Sequence, residues 1–169
     1  MAVSLYDFSA PAFTLALTNL SKQMEKASAY AESRKFDTKL LAESRLIADM
    51  LPFVRQVQIA CDNAKGAVAR LAGIDNPKHE DNETTFAELQ ARIAKTLAFI
   101  KTAKPEQFAG AENRDVVLQF PSMTLKFVGQ DYLTKFALPN FYFHVTMAYA
   151  LLRQSGVDVG KPDFMGSIQ

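Results

Sequence analysis

Cysteine is almost absent from this 169-residue chain, where Cys61 stands alone. That excludes an intrachain disulfide, an all-cysteine zinc site and a CxxC redox pair. Histidine is nearly as scarce, with only His79 and His144, short of the several His or Cys ligands that zinc prefers. Neither sign of charge dominates: nineteen Lys and Arg face eighteen Asp and Glu, a net +1. No global field therefore draws nucleic acid or an anionic membrane, and neither partner is expected. No stretch reaches the roughly 18 apolar residues of a membrane span. The N-terminus carries Asp7 and lacks both a basic and a long apolar region, unlike a secretory signal. A reducing, cytoplasmic setting is the expectation. What remains is 49% hydrophobic and 22% charged, the composition of one globular domain over residues 1–169.

Apolar residues recur at helical spacing in four segments. The first helix is predicted to open near Ser9, an N-cap residue type ahead of Pro11, with Phe13, Leu17, Leu20, Met24 and Ala27 as its stripe. Asp37 or Thr38 is expected to cap a longer second helix whose stripe runs through Ile47, Met50, Val54, Val57, Cys61, Ala64, Val68 and Leu71 to a stop at Gly73. Pro52 inside it predicts a kink or a broken first turn near Asp49. After a polar loop at 74–83, Thr85 and Glu88 make a capping-box pair ahead of Phe86, Leu89, Ile93, Leu97 and Ile100. The last helix reads from about 130 to 154, kinked at Pro139 and stopped at Gly156.

Between the third and fourth helices the period changes to two. Pro105 starts a short turn that closes at Gly110; then Val116, Leu118 and Phe120 alternate, Pro121-Ser122 turns, and Leu125 and Phe127 alternate back, which predicts a β-hairpin. The tail with Gly160, Pro162, Phe164 and Met165 reads as an irregular segment that docks its apolar residues. Four single-striped helices satisfy one another as an all-α four-helix bundle, with the small hairpin between helices three and four. At about 3.3 Å per residue the 74–83 connection could span roughly 33 Å, a helix length. Helices two and three are therefore expected to run parallel, giving an up-down-down-up order.

The stripe of the last helix continues as Leu133, Phe136, Asn140, His144, Met147 and Leu151, which sets two polar residues one turn apart on a core-facing line. A buried polar group without a partner costs roughly 1–3 kcal/mol. Gln58 and Asp62, also one turn apart beside Val54 and Cys61, are the candidate partners on helix two. Two readings of these four residues stay open: a hydrogen-bonded cluster that fixes helix register, or the lining of a small-molecule pocket between helices. One histidine, two amides and one carboxylate make a poor zinc set. His144 with Asp62 would suit a general base if the carboxylate orients the ring.

Cys61 reads as an inert core thiol, His79 as part of a solvated loop among Lys78, Glu80 and Asp81, and Gly66 as a close helix approach. Tyr132, Phe136, Phe141, Tyr142, Phe143 and Tyr149 circle the last helix, so some must face the hairpin, the tail or a second copy of the chain.

Asn140-Phe141-Tyr142-Phe143-His144, followed by Leu152-Arg153, resembles the last helix of the DinB-like (YfiT-like) metalloenzyme superfamily, which reads HxxxH with Leu-Arg further along. Three stretches are similar to one bacterial branch of it, a domain-of-unknown-function family, over nearly the whole chain. They are Phe53-Val54-Arg55-Gln56-Val57-Gln58 running on to Cys61-Asp62-Asn63-Ala64-Lys65-Gly66, Leu138-Pro139 ahead of Asn140, and Gly160-Lys161-Pro162-Asp163-Phe164-Met165-Gly166. The resemblance implies an up-down-down-up bundle, often dimeric, with a three-histidine nickel or zinc site between helices and metal-dependent thiol-transferase chemistry. Its helix-two histidine falls on Gln58 and the HxxxH pair on Asn140 and His144, so one ligand of three is kept.

The expected function is small-ligand binding in an inter-helix pocket lined by Gln58, Asp62, Asn140 and His144, without metal or other cofactor, in a homodimer. The alternative is a metal-dependent hydrolase or thiol transferase with a degenerate ligand set.

Overall fold

The first helix, α1 (Leu5–Ser33), starts ahead of the expected Ser9. The Ser4 N–H and hydroxyl both donate to the Asp7 carboxylate, at 2.8 and 3.0 Å, and so close the first turn earlier. Ser9 is instead buried inside the helix, its hydroxyl donating to the Leu5 carbonyl at 2.6 Å. The computed structural model describes residues 3–166.

The long second helix divides into α2 (Lys39–Ala42) and α3 (Phe53–Ala72). Pro52 caps α3 and does not kink it, because the residue before a proline is pushed out of the helical region. The Phe53 N–H donates across the gap to the Ser44 carbonyl at 3.0 Å, and Ile47, expected on the stripe, is 58% exposed. The third helix, α4 (Phe86–Thr102), opens where its sequence places it. Glu88 accepts from the Thr85 N–H at 2.9 Å and donates its own N–H to the Thr85 hydroxyl at 3.3 Å. A short 3-10 turn at Pro105–Phe108 follows.

Strands β1 (Asp115–Gln119) and β2 (Thr124–Val128) form the antiparallel hairpin, with Val116 opposite Phe127 and Leu118 opposite Leu125. Val116 and Leu118 are buried, so this face of the hairpin lies on the helices. The last helical run comprises α5 (Gly129–Asp131), a π-helical stretch Tyr132–Ala137 and α6 (Leu138–Gln154). Ahead of Pro139 the ladder widens: the Leu138 N–H donates to the Leu133 carbonyl, five residues back. The return to α spacing falls at Pro139, which has no N–H to place. The tail is ordered as a short helix, α7 (Lys161–Met165), rather than irregular. Asn19 and Gln23 of α1 donate to its Phe164 and Asp163 carbonyls, Lys26 pairs with Asp163 at 2.7 Å, and Phe164 packs edge-on against Tyr149.

The fold is mostly helical. Helices α1 and α3 each pack against α4, against α6 and against each other. The core between them holds Phe13, Leu17, Leu20 and Met24 of α1, Val57, Cys61 and Leu71 of α3, Leu89 and Ile93 of α4, and Phe141 and Leu152 of α6. Phe13 meets Phe141 edge-on at 4.7 Å, and Phe53 stacks on Phe86 at 5.2 Å, joining the first residues of α3 and α4. Of the aromatics circling the last helix, Tyr132 and Phe141 are buried and Phe136 meets Phe120 and Phe127 of the hairpin region. Tyr149 is covered by the tail, whereas Tyr142 and Phe143 stay exposed. Among the described residues no helix is long and apolar enough to cross a membrane.

Gly129 opens the last helical run with its α-carbon against the Ala111 carbonyl, so a β-carbon there has no room. Gly129→Ala is expected to lower stability by about 1–3 kcal/mol, read as a lower urea midpoint at unchanged slope.

Candidate functional site

Arg92 points from α4 toward α3 with its side chain only 1% exposed. A buried guanidinium must be surrounded by acceptors, and Arg92 finds them on α3 and on the connection before α4. It pairs with Asp62 at 2.8 Å, Asp81 at 2.9 Å and Glu83 at 2.9 Å, and it donates to the Glu80 carbonyl at 2.9 Å. Around it, Arg55 bridges Asp81 and the Gln58 amide oxygen, both at 2.7 Å. The Gln58 amide N–H reaches Glu83 at 2.9 Å. Lys65 pairs with Asp62 at 3.2 Å and donates to the Pro77 carbonyl.

Three cations and three carboxylates thus close on one another. Burial alone would push the Asp81 carboxyl up, but Arg55 and Arg92 outweigh it and hold the group below its usual range. Burial likewise works against the charge on Arg92, and its acidic neighbours Glu83 and Asp62 more than offset that.

Gln58 and Asp62 are therefore both tied into the network that Arg92 brings from α4. The expected polar cluster with Asn140 and His144 does not form as one unit. His144 is buried and takes Gln56, not Gln58, with its Nδ1 2.7 Å from the Gln56 amide oxygen. The Gln56 N–H is spent on the Leu51 carbonyl at 2.9 Å, so the Nδ1 of His144 carries the proton. Asp62 is held by Arg92 and Lys65, which leaves no carboxylate to orient His144 as a general base. The correction has a plain cause: α3 packs against three helices, and Gln56, Val57 and Gln58 are all buried. A stripe drawn for a helix with one buried face cannot say which neighbour each glutamine meets.

Asn140 is half-buried at the edge of a depression of about 280 Å³ between α3, the π stretch and the hairpin. Asp62, Asn63, Arg55, Arg70, Tyr132 and Phe136 also line it. Two of the four expected site residues, Asp62 and Asn140, thus share one concave surface. Arg55, Asn63, Arg70 and Tyr132 were not anticipated. The signal for Arg70 lay in Gly66 one turn earlier. No neighbouring helix comes close there; the Arg70 guanidinium occupies the space that a β-carbon at Gly66 would need.

Two further expectations meet different outcomes. The Cys61 thiol is fully buried and burial pushes its pKa up to about 12, which suits an inert core thiol. His79 is not solvated. The connection folds down through the Lys65 and Arg92 contacts and carries the ring inward, where neither ring nitrogen meets a hydrogen-bond partner.

The three positions on which the superfamily's histidines fall do not fit nickel or zinc. Two are amides, and Gln58 and His144 are committed to separate hydrogen-bonded groups. Among the described residues, no group of three or more His, Cys, Asp or Glu side chains is placed to hold a metal ion.

Removing Arg92 would leave Asp62, Asp81 and Glu83 facing one another with too little positive charge. Arg92→Ala is expected to cost about 1–3 kcal/mol in urea unfolding, since Asp62 and Asp81 keep Lys65 and Arg55 and part of their hydration. Burial lowers the pKa of both His144 and His79 below 6.5, helped at His79 by Lys65, Lys95 and Arg92 and opposed by Asp62. On acidification the unfolded chain takes up these protons first. The stability they contribute is complete above about pH 6.5 and is lost as the pH falls through the lowered values. The urea midpoint should therefore drop from about pH 7.5 to about pH 5, and less steeply in the His79→Gln/His144→Gln double variant.

The family model described as a domain of unknown function (DUF1993) matches residues 5–165. No curated protein matches the chain. A crystal structure of a DinB family member protein from Shewanella denitrificans is 43% identical, covers 97% of this chain and 93% of that one, and superposes with a TM-score of 0.89. The chain belongs to the DUF1993 family, an uncharacterised DinB-like family.

Proposed function

We propose that this protein binds a small ligand in the depression at Asn140, without a metal, on a bundle of up-down-down-up order. The order is supported by the Phe53–Phe86 stack and by the connection, whose residues touch Lys65, then Arg92, then Arg55. The ligand reading rests on one observation above all: polar groups line this concavity without internal partners. The Asn140 side chain makes no hydrogen bond among the described residues, and the Asn63 amide oxygen is buried with none. The π stretch beside them adds support, since such segments recur at functional sites. Asp62 and Asn140 would contact the ligand, while Gln58 holds Arg55 at the rim. His144 would act from behind through α6.

The competing reading, a metal-dependent hydrolase or thiol transferase, requires donors that Gln58 and Asn140 do not supply. A homodimer finds support in Leu15, Tyr142 and Met165, exposed apolar residues that border one shallow surface. Light scattering should then give twice the chain mass of 18.7 kDa, and a monomer would remove this part of the proposal.

Protein expressed with nickel and zinc and purified without a histidine tag is expected to hold far less than one equivalent of either. One equivalent, lost in His144→Ala, would instead favour the enzyme. In a fragment screen followed by NMR, bound compounds should shift the side-chain amides of Asn63 and Asn140. Hits gathering only in the groove of about 720 Å³ between α1 and α4 would contradict the assignment.

A further inference from the structure

We propose that the depression at Asn140 takes a small monocarboxylate with a planar apolar body, its carboxylate seated on Arg70. This rests on the ligand-site reading above and names its ligand class.

Charge accounting singles out Arg70. Arg55, Lys65 and Arg92 balance Asp62, Asp81 and Glu83 within their own network, and Arg70 stands outside it. Among the described residues Arg70 forms no ion pair, although it lines the same cavity. Nor is it free to wander. The missing β-carbon of Gly66 lets its guanidinium fold across α3, where one N–H meets the Tyr132 hydroxyl at 3.3 Å and the group lies 5.9 Å from the Tyr132 ring centre. A guanidinium has five N–H donors in a rigid fork, and a carboxylate accepts two of them in parallel. A fixed, uncompensated fork facing a cavity is preorganised for such a group.

The rest of the cavity selects the remainder of the ligand. Tyr132 and Phe136 stack nearly parallel with ring centres 6.0 Å apart, and Phe120, Leu118 and Ile59 continue the apolar wall. Asn63 and Asn140 offer unspent amide groups at the polar edge. Asp62 and Asp81 also border the cavity, each already shared between two cations. They leave the site able to accept one negative charge and hostile to a second, which favours a carboxylate over a phosphate dianion. A volume of about 280 Å³ suits a compound on the order of ten non-hydrogen atoms.

Isotope-labelled protein titrated with benzoate, benzyl alcohol and inorganic phosphate provides the test. Benzoate should saturably shift the side-chain signals of Arg70, Asn63 and Asn140, while the other two bind at least about tenfold more weakly. Arg70→Gln should weaken benzoate by a similar factor, and Arg70→Lys, which keeps the charge and loses the fork, by less. Benzyl alcohol matching benzoate in the parent protein would overturn the carboxylate assignment while sparing the ligand site, and that comparison needs no variant to fold. Failure of all three probes to shift these signals would overturn both.

Discussion

One buried guanidinium organises this molecule. Arg92 is taken out of water in the middle of α4, and the penalty for that is met by carboxylates from two places: Asp62 on α3, and Asp81 and Glu83 on the connection that leads into α4. Satisfying Arg92 therefore requires the connection to lie against the helix pair. With it come the inward position of His79, the fixing of Arg55 by Asp81, and the commitment of Gln58 to Glu83. A polar stretch of thirteen residues, 73–85, becomes part of the packed structure through electrostatics rather than apolar burial.

This arrangement separates structural polarity from available polarity. The network around Arg92 closes with equal numbers of charges and leaves little for a ligand. The depression at Asn140 borders that network through Arg55, Asp62 and Asp81, but its Asn63 and Asn140 side chains find no partner among the described residues, beside aromatic rings brought together by the π stretch and the hairpin. Of the three positions to which the resemblance assigns histidines, two are amides, Gln58 and Asn140. Gln58 sits in the salt-bridge network, accepting from Arg55 and donating to Glu83. His144, the one histidine kept, is likewise held by a hydrogen bond to Gln56.

Features set by neighbouring residues were legible in the sequence. The Thr85–Glu88 capping box, the hairpin with its period of two, the stop at Gly73 and the family itself could all be read from short stretches. Features set across the bundle were not. The start of α1 was misplaced because Ser9 matched a cap pattern that Ser4 and Asp7 satisfy better. The apolar spacing continues through Ile47 and Met50, although neither is buried, so the sequence reads as one helix with a kink or a broken first turn near Asp49 rather than as two helices. Gln56 and Gln58 could not be told apart because α3 buries nearly its whole circumference. Arg92 was invisible for a related reason: a charged residue beside Leu89 and Ile93 looks solvated until the acidic connection is folded over it.

The central claim is that Arg92, itself buried, is immobilised by the carboxylates of Asp62, Asp81 and Glu83, and side-chain NMR of its guanidinium tests it most directly. The account predicts separate, slowly exchanging Nη signals for Arg92 that persist when sodium chloride is raised to about 1 M, because buried pairs are screened far less than exposed ones. A single averaged Nη signal, or one that collapses as salt is added, would show a mobile, hydrated side chain and contradict it.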